Sequence, residues 1–146
     1  MKILGHPVHL MLVHFPAALF PMECAVYGLQ LFTGNPDFGF ASYCVLMGGV
    51  AMGWAAAIFG ALDMNGIAES NGPVLRKALL HGGINGTVLV AYSAMAYPLY
   101  GAFPALPPAS TGLFVARALL VLLLVVGNFI GGSLVLQDKV GTNFTK

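Results

Sequence analysis

Residues 113–136 read LFVARALLVLLLVVGNFIGGSLVL, a run with one charged side chain, Arg117. As a helix it would rise about 36 Å at roughly 1.5 Å per residue, enough to cross a hydrocarbon core of about 30 Å. Lipid offers no hydrogen-bond partner to a bare backbone, so an apolar run of this length predicts a spanning helix. Three further runs read the same way: 10–32, ended by TGNPD, 41–62, ended by DMNG, and 77–100, followed by the proline-rich FPALPPASTG. The expectation is an all-α, polytopic membrane protein, a four-transmembrane-helix bundle formed by one domain over 1–146.

Composition agrees. The 146 residues are 58% hydrophobic and only 8% charged, against roughly 25% charged in soluble domains. Mean hydropathy is +0.86. Such a chain cannot coat a globule with polar side chains. Its net charge is +1 and its basic residues form no run, which excludes nucleic acid as a partner. Cys24 and Cys44 lie inside apolar runs, read as small hydrophobes and set no disulfide framework. The first run is too long for a signal-peptide core and lacks a small-residue cleavage site, so no leader is expected. Lys2, Arg76, Lys77, Lys139 and Lys146 fall on one side of the four spans, and Arg117 and Asp37 on the other. The positive-inside bias places both termini in the cytoplasm, in the inner membrane of a bacterium.

The chain has four histidines, and all are expected at the cytoplasmic edge. His6, His9 and His14 crowd GHPVHLMLVHFP, and His81 lies one turn inside span three. Asp63, at the end of span two, joins them. His14 and His81 would sit at similar depth on parallel spans. Two inward imidazoles at equal depth can hold a haem iron from both sides. Gly82, Gly83 and Gly86 would leave room for a flat ring, and Asn85 could hydrogen-bond within the site. His6 and His9 would support the site, as a further ligand, as a hydrogen-bond partner of a propionate, or as headgroup contacts. His9 and His14 are five residues apart, about 140° around a helix, so one helical face cannot present both. The same five groups, His6, His9, His14, His81 and Asp63, also suit a small zinc, copper or iron site. Plain interfacial histidines on a non-catalytic scaffold are a third reading.

The glycine pairs Gly49/Gly53, Gly82/Gly86 and Gly127/Gly131 have the small-xxx-small spacing of packed membrane helices. Glu23 and Arg117 lie within spans one and four, about 13 Å and 6 Å deep at about 1.5 Å per residue, within reach of an ion pair. Asn128 could tie helices together or serve the site. Pro16 and Pro21 each delete a helix hydrogen bond, and a bend at Pro16 would aim His14. Spans one and three both open with a histidine, which hints at duplication. No serine–histidine–acid spacing, phosphate loop or carboxylate pair points to a hydrolase.

The opening GHPVHLMLVHFP resembles the signature of a bacterial membrane family catalogued as domain of unknown function 2231. His6, Pro7, His9, Leu12, Val13, His14, Phe15 and Pro16 match it, while Leu10 stands where a second proline is usual. GALD (60–63), HGGIN (81–85) and GGSLVLQDKVG (131–141) resemble its later landmarks, with Leu136 in place of a tyrosine and Asp138 in place of a histidine. The family is similar in plan to four-helix membrane cytochromes, and some members are joined to Rieske or cytochrome c domains. That resemblance implies membrane electron transfer. The combined expectation is a b-type cytochrome-like subunit of a membrane redox complex, carrying haem b between His14 and His81, with quinone as a small redox partner and the other subunits around it. It is expected to be an electron-transfer or accessory subunit rather than a stand-alone enzyme.

Overall fold

A computed structural model describes residues 2–3, 6–64, 67 and 71–140. A two-residue ladder opens the chain: β1 (Lys2–Ile3) pairs antiparallel with β2 (His6–Pro7), Ile3 facing His6. Among the described residues five helices follow, α1 (Val8–Leu12), α2 (His14–Thr33), α3 (Pro36–Met64), α4 (Gly72–Ala102) and α5 (Thr111–Leu136). α1 and α2 form one apolar rod with an interruption at Val13, where Val13 N–H still donates to the His9 carbonyl. Pro16 supplies no N–H to the Leu12 carbonyl, so the ladder weakens there.

Among the described residues, three segments are long and apolar enough to cross a membrane: Val8–Thr33, Pro36–Met64 and Thr111–Leu136. α4 is the longest helix at 31 residues, but it carries Arg76, Lys77, His81, Asn85 and several glycines in its first half. Those residues make it the least apolar of the four long rods. Large apolar side chains cover much of the outward surface, with Phe32, Leu122, Phe129 and Leu136 all exposed.

Local chemistry sets the turns. Gly34 closes α2 at φ +70, its N–H donating to the Gln30 carbonyl. Asn35 accepts from the Asp37 N–H ahead of Pro36, the pattern of an N-cap followed by proline at the first helical position. Ser110 caps α5 by accepting from the Leu113 N–H. After α5 the chain turns back: Val140 N–H donates to the Leu134 carbonyl, with Lys139 at φ 56.

The long rods pack in a ring, α2 on α3, α3 on α4, α4 on α5 and α5 on α2. One half of this ring is solid. Phe20 and Tyr92 stack at 4.1 Å between centroids, across the ring from α2 to α4, among Leu46, Val88, Leu89, Ala96 and Leu124. Gly49 and Gly53 make the space: a Cβ at Gly49 would stand 2.8 Å from the Phe20 ring, and one at Gly53 2.7 Å from Leu89.

Beyond that core lies a fully buried ion pair, as the depths of Glu23 and Arg117 in the sequence anticipate. Arg117 Nε donates to Glu23 Oε1 at 2.8 Å, with side-chain exposures of 1% and 0%. Ser42 Oγ donates to the same oxygen at 2.9 Å. The Arg117 guanidinium lies 3.8 Å from the Tyr27 ring centre and donates to the Leu113 carbonyl. Removing one partner of such a pair strands a buried charge. Arg117→Leu or Glu23→Leu alone is expected to destabilise the protein by about 3–5 kcal/mol, and the double replacement by much less. Unfolding titrations in mixed micelles measure this; singles no worse than the double would refute the coupling.

Candidate functional site

The other half of the ring is open. A cavity of about 730 Å³ runs from Phe20, Leu89 and Leu124 at its floor to Asp63, Asn71, Asp138 and Lys139 at its mouth. The tail that folds back after α5 borders the mouth, held by Lys77 Nζ donating to Asp138 Oδ2 at 2.6 Å. Small residues make up much of the wall, among them Ala17, Ala56, Ala57, Gly60, Ala78 and Gly131.

Two imidazoles face this space, His9 and His81, their ring centroids 6.5 Å apart and their planes at 80°. Each is anchored in the same way. His9 Nδ1–H donates to the Ala56 carbonyl at 2.8 Å, and His81 Nδ1–H donates to the Gly127 carbonyl at 2.8 Å. Both carbonyls belong to helix interiors, where the second lone pair of the oxygen remains free to accept. A helical side chain leans over the turn before it, so the residue four positions on normally covers such a carbonyl. At those positions stand Gly60 and Gly131. A Cβ at Gly60 would lie 2.8 Å from His9 Cε1, and one at Gly131 2.5 Å from His81 Cε1. Each glycine is a seat for an imidazole over a neighbouring helix.

A carbonyl accepts only, so Nδ1 carries the proton in both rings. In the neutral ring Nε2 is then the nitrogen with the lone pair. This is the second-shell arrangement that fixes the tautomer and orientation of a metal-ligating histidine. The Asn85 amide lies 3.0 Å from His81 Nδ1, and its Oδ1 is buried without a partner. Gly127 clears room for that amide.

The two anchors repeat. His9 and its carbonyl are 47 residues apart, His81 and its carbonyl 46. The α1–α2–α3 hairpin and the α4–α5 hairpin therefore present equivalent imidazoles from opposite walls. The paired histidines that open spans one and three in the sequence are the visible trace of this, but the equivalent residues are His9 and His81.

The expected ligands are thus redistributed. His81 stands in the cavity as expected. His14 does not: its side chain is exposed and is not among the cavity residues. The reason is the five-residue spacing, since only one of His9 and His14 can face inward, and Ala56 with Gly60 captures His9. Pro16 lies on the cavity wall instead of aiming His14. Gly82, Asn85, Asn128 and Asp63 line the cavity. The backbone of His6 pairs in the short ladder, and its side chain lies outside the described residues. Among the described residues no three of His, Cys, Asp and Glu gather as a metal-ion site. The glycine pairs separate by role: Gly49/Gly53 pack the core, Gly127/Gly131 seat the site, and Gly82/Gly86 border open space. Cys24 and Cys44 are free thiols, and Cys44 is exposed rather than buried. Sequence reasoning missed Gly60 and Gly131 as seats. The near-equal spacing from each histidine to its glycine was the available signal.

Fold and site together define a polytopic helical membrane protein with a two-histidine cavity at one end of its bundle. The chain belongs to the family described as predicted membrane protein DUF2231, whose model matches residues 5–143. No curated protein and no solved structure matches the chain.

The tautomers can be read directly. ¹⁵N NMR of the histidine-labelled protein without ligand is expected to show His9 and His81 protonated at Nδ1, the minority form for free imidazole. Gly131→Ala should displace the His81 signal and leave His9 unchanged. Nε2-protonated signals at both rings would refute the anchoring.

Proposed function

We propose that the protein is a b-type cytochrome-like membrane subunit that holds haem between His9 and His81. The observation that carries this reading is the pair of imidazoles facing one cavity, each with Nδ1 spent on a backbone carbonyl and Nε2 left to a ligand. Their separation fits. Two imidazoles on one metal keep their nitrogens about 4 Å apart at about 2.0 Å per bond, and roughly 1 Å more at each end reaches the ring centres, about 6 Å in all. The centroids are 6.5 Å apart. The cavity, at about 730 Å³, is within the roughly 300–1,000 Å³ of cofactor sites, and its walls of glycine and alanine suit a flat ring.

Bound there, haem supplies one-electron redox chemistry, which axial ligation and burial tune. The chain's own residues do the rest. The Ala56 and Gly127 carbonyls orient the imidazoles and raise their basicity as ligands. Phe20, Leu89 and Leu124 close the floor and exclude water. Asn71, Lys139 and the Lys77–Asp138 pair give the mouth the polarity that a charged ring edge needs.

α4 is the fourth span in this reading. It packs between α3 and α5 along the bundle and carries the site on its inner face, which is why it is the least apolar of the rods. The basic residues then put the cavity mouth and both termini in the cytoplasm, with the protein in the bacterial inner membrane. In this reading it acts as a subunit beside other redox proteins.

A dithionite-reduced minus oxidised spectrum tests the proposal. The wild type is expected to show Soret and α bands of a b-type haem. His9→Ala and His81→Ala should abolish them, and His14→Ala should retain them. A colourless wild type from haem-replete cells, with no haem in a pyridine extract, would overturn the reading.

A further inference from the structure

The cavity has a second border besides its polar mouth. On the seam between α3 and α4, the solid half is closed by Gly53 against Leu89 and by Trp54 Nε1 donating to Ser93 Oγ at 3.0 Å. Toward the open end the seam continues with Ala57 and Ala61 on α3 and Gly86 and Gly82 on α4. All four line the cavity, and Ala57, Ala61 and Gly82 are exposed. At about 100° per residue, Ala61 and Gly86 point roughly 80° away from the inward direction marked by Gly53 and Ala78, into the gap between the helices. A Cβ placed on Gly82 or Gly86 would meet nothing within 4 Å. The cavity therefore reaches into the seam at the level of the histidines.

The internal repeat sharpens this. At the offsets that Gly82 and Gly86 have from His81, the first hairpin has Leu10 and His14 after His9. The first hairpin thus has two large side chains at the positions where the second has two glycines.

We propose that the α3–α4 seam is a lateral window through which a lipid-dissolved quinone, a flat ring with carbonyl oxygens and an apolar tail, docks beside the histidines. The window's rim is wholly apolar and faces the surface that the exposed Ile58, Leu79 and Val90 make lipid-compatible. Water-soluble compounds would meet the polar mouth instead. Inside, the Asn85 and Asn128 side-chain amides line the cavity, and their N–H groups are the donors available to the ring's carbonyl oxygens, while the partnerless Asn85 Oδ1 can accept only from the hydroxyl of the reduced quinol. The inference uses the cavity of the proposed function but does not depend on what the histidines hold.

The test is binding of tritiated decylubiquinone to the full-length protein in nanodiscs, corrected for partition into empty discs. Its fully substituted ring cannot add to the Cys44 thiol. Wild type is expected to bind saturably, one molecule per chain. Ala57→Leu and Gly86→Leu, on opposite sides of the window, should each weaken binding at least tenfold. Gly86→Leu grows into open space, and size-exclusion profiles confirm folding of both variants. Gly83→Leu, exposed and off the cavity wall, should bind as wild type does. Non-saturable wild-type binding, or window variants that bind as well as wild type, would overturn the window. Absorbance of the same samples keeps the two readings apart. A colourless wild type that binds quinone saturably supports the window and sinks the haem, and a red one without saturable binding does the reverse.

Discussion

The buried pair between Glu23 and Arg117, 2.8 Å long, is where all four long helices meet. Glu23 comes from α2 and Arg117 from α5, Ser42 of α3 donates to the same carboxylate oxygen, and Tyr92 of α4 donates to the Arg117 carbonyl. In a medium without water these groups must satisfy one another, because an unpaired charge there is costly. The pair therefore fixes the register of the bundle at one end. The Phe20–Tyr92 stack continues that register inward.

With one end sealed, the other can stay open. A close-packed bundle of four rods has no room for a 730 Å³ cavity unless its walls are thin. Ala56, Ala57, Gly60, Ala61, Gly82 and Gly86 make them thin on α3 and α4. The stability supplied by the solid half carries the open half, where fewer contacts are made. This division of labour is common where a site must be both rigid and hollow.

The site is assembled by one device used twice. An imidazole lies across a neighbouring helix, its Nδ1–H on a carbonyl that a glycine one turn later leaves bare. The hydrogen bond settles which nitrogen keeps its lone pair and where it points. The near-equal spacing of the two anchors makes the cavity a meeting of two similar hairpins. The similarity ends beside the histidines, where Leu10 and His14 on one hairpin correspond to Gly82 and Gly86 on the other.

Much of this was legible in the chain itself. Long runs with almost no charge dictate membrane helices, because backbone groups in lipid have only each other. The family was legible in the GHPVHLMLVHFP opening, and the reach between Glu23 and Arg117 followed from helical rise. What the linear pattern could not decide was which histidine of the first segment turns inward. Depth alone favours His14, and the roughly 140° between His9 and His14 says only that one of them must face away. The choice was made across space, by the Ala56 carbonyl and the gap above Gly60 on a helix some fifty residues away. The same holds for α4, where His81 and Asn85, which lower its apolar signal together with Arg76 and Lys77, face a cavity that exists only once α3 and α5 are in place. Spans are a property of local composition and can be read along the chain. A site is a property of which faces meet, and only the tertiary packing decides that.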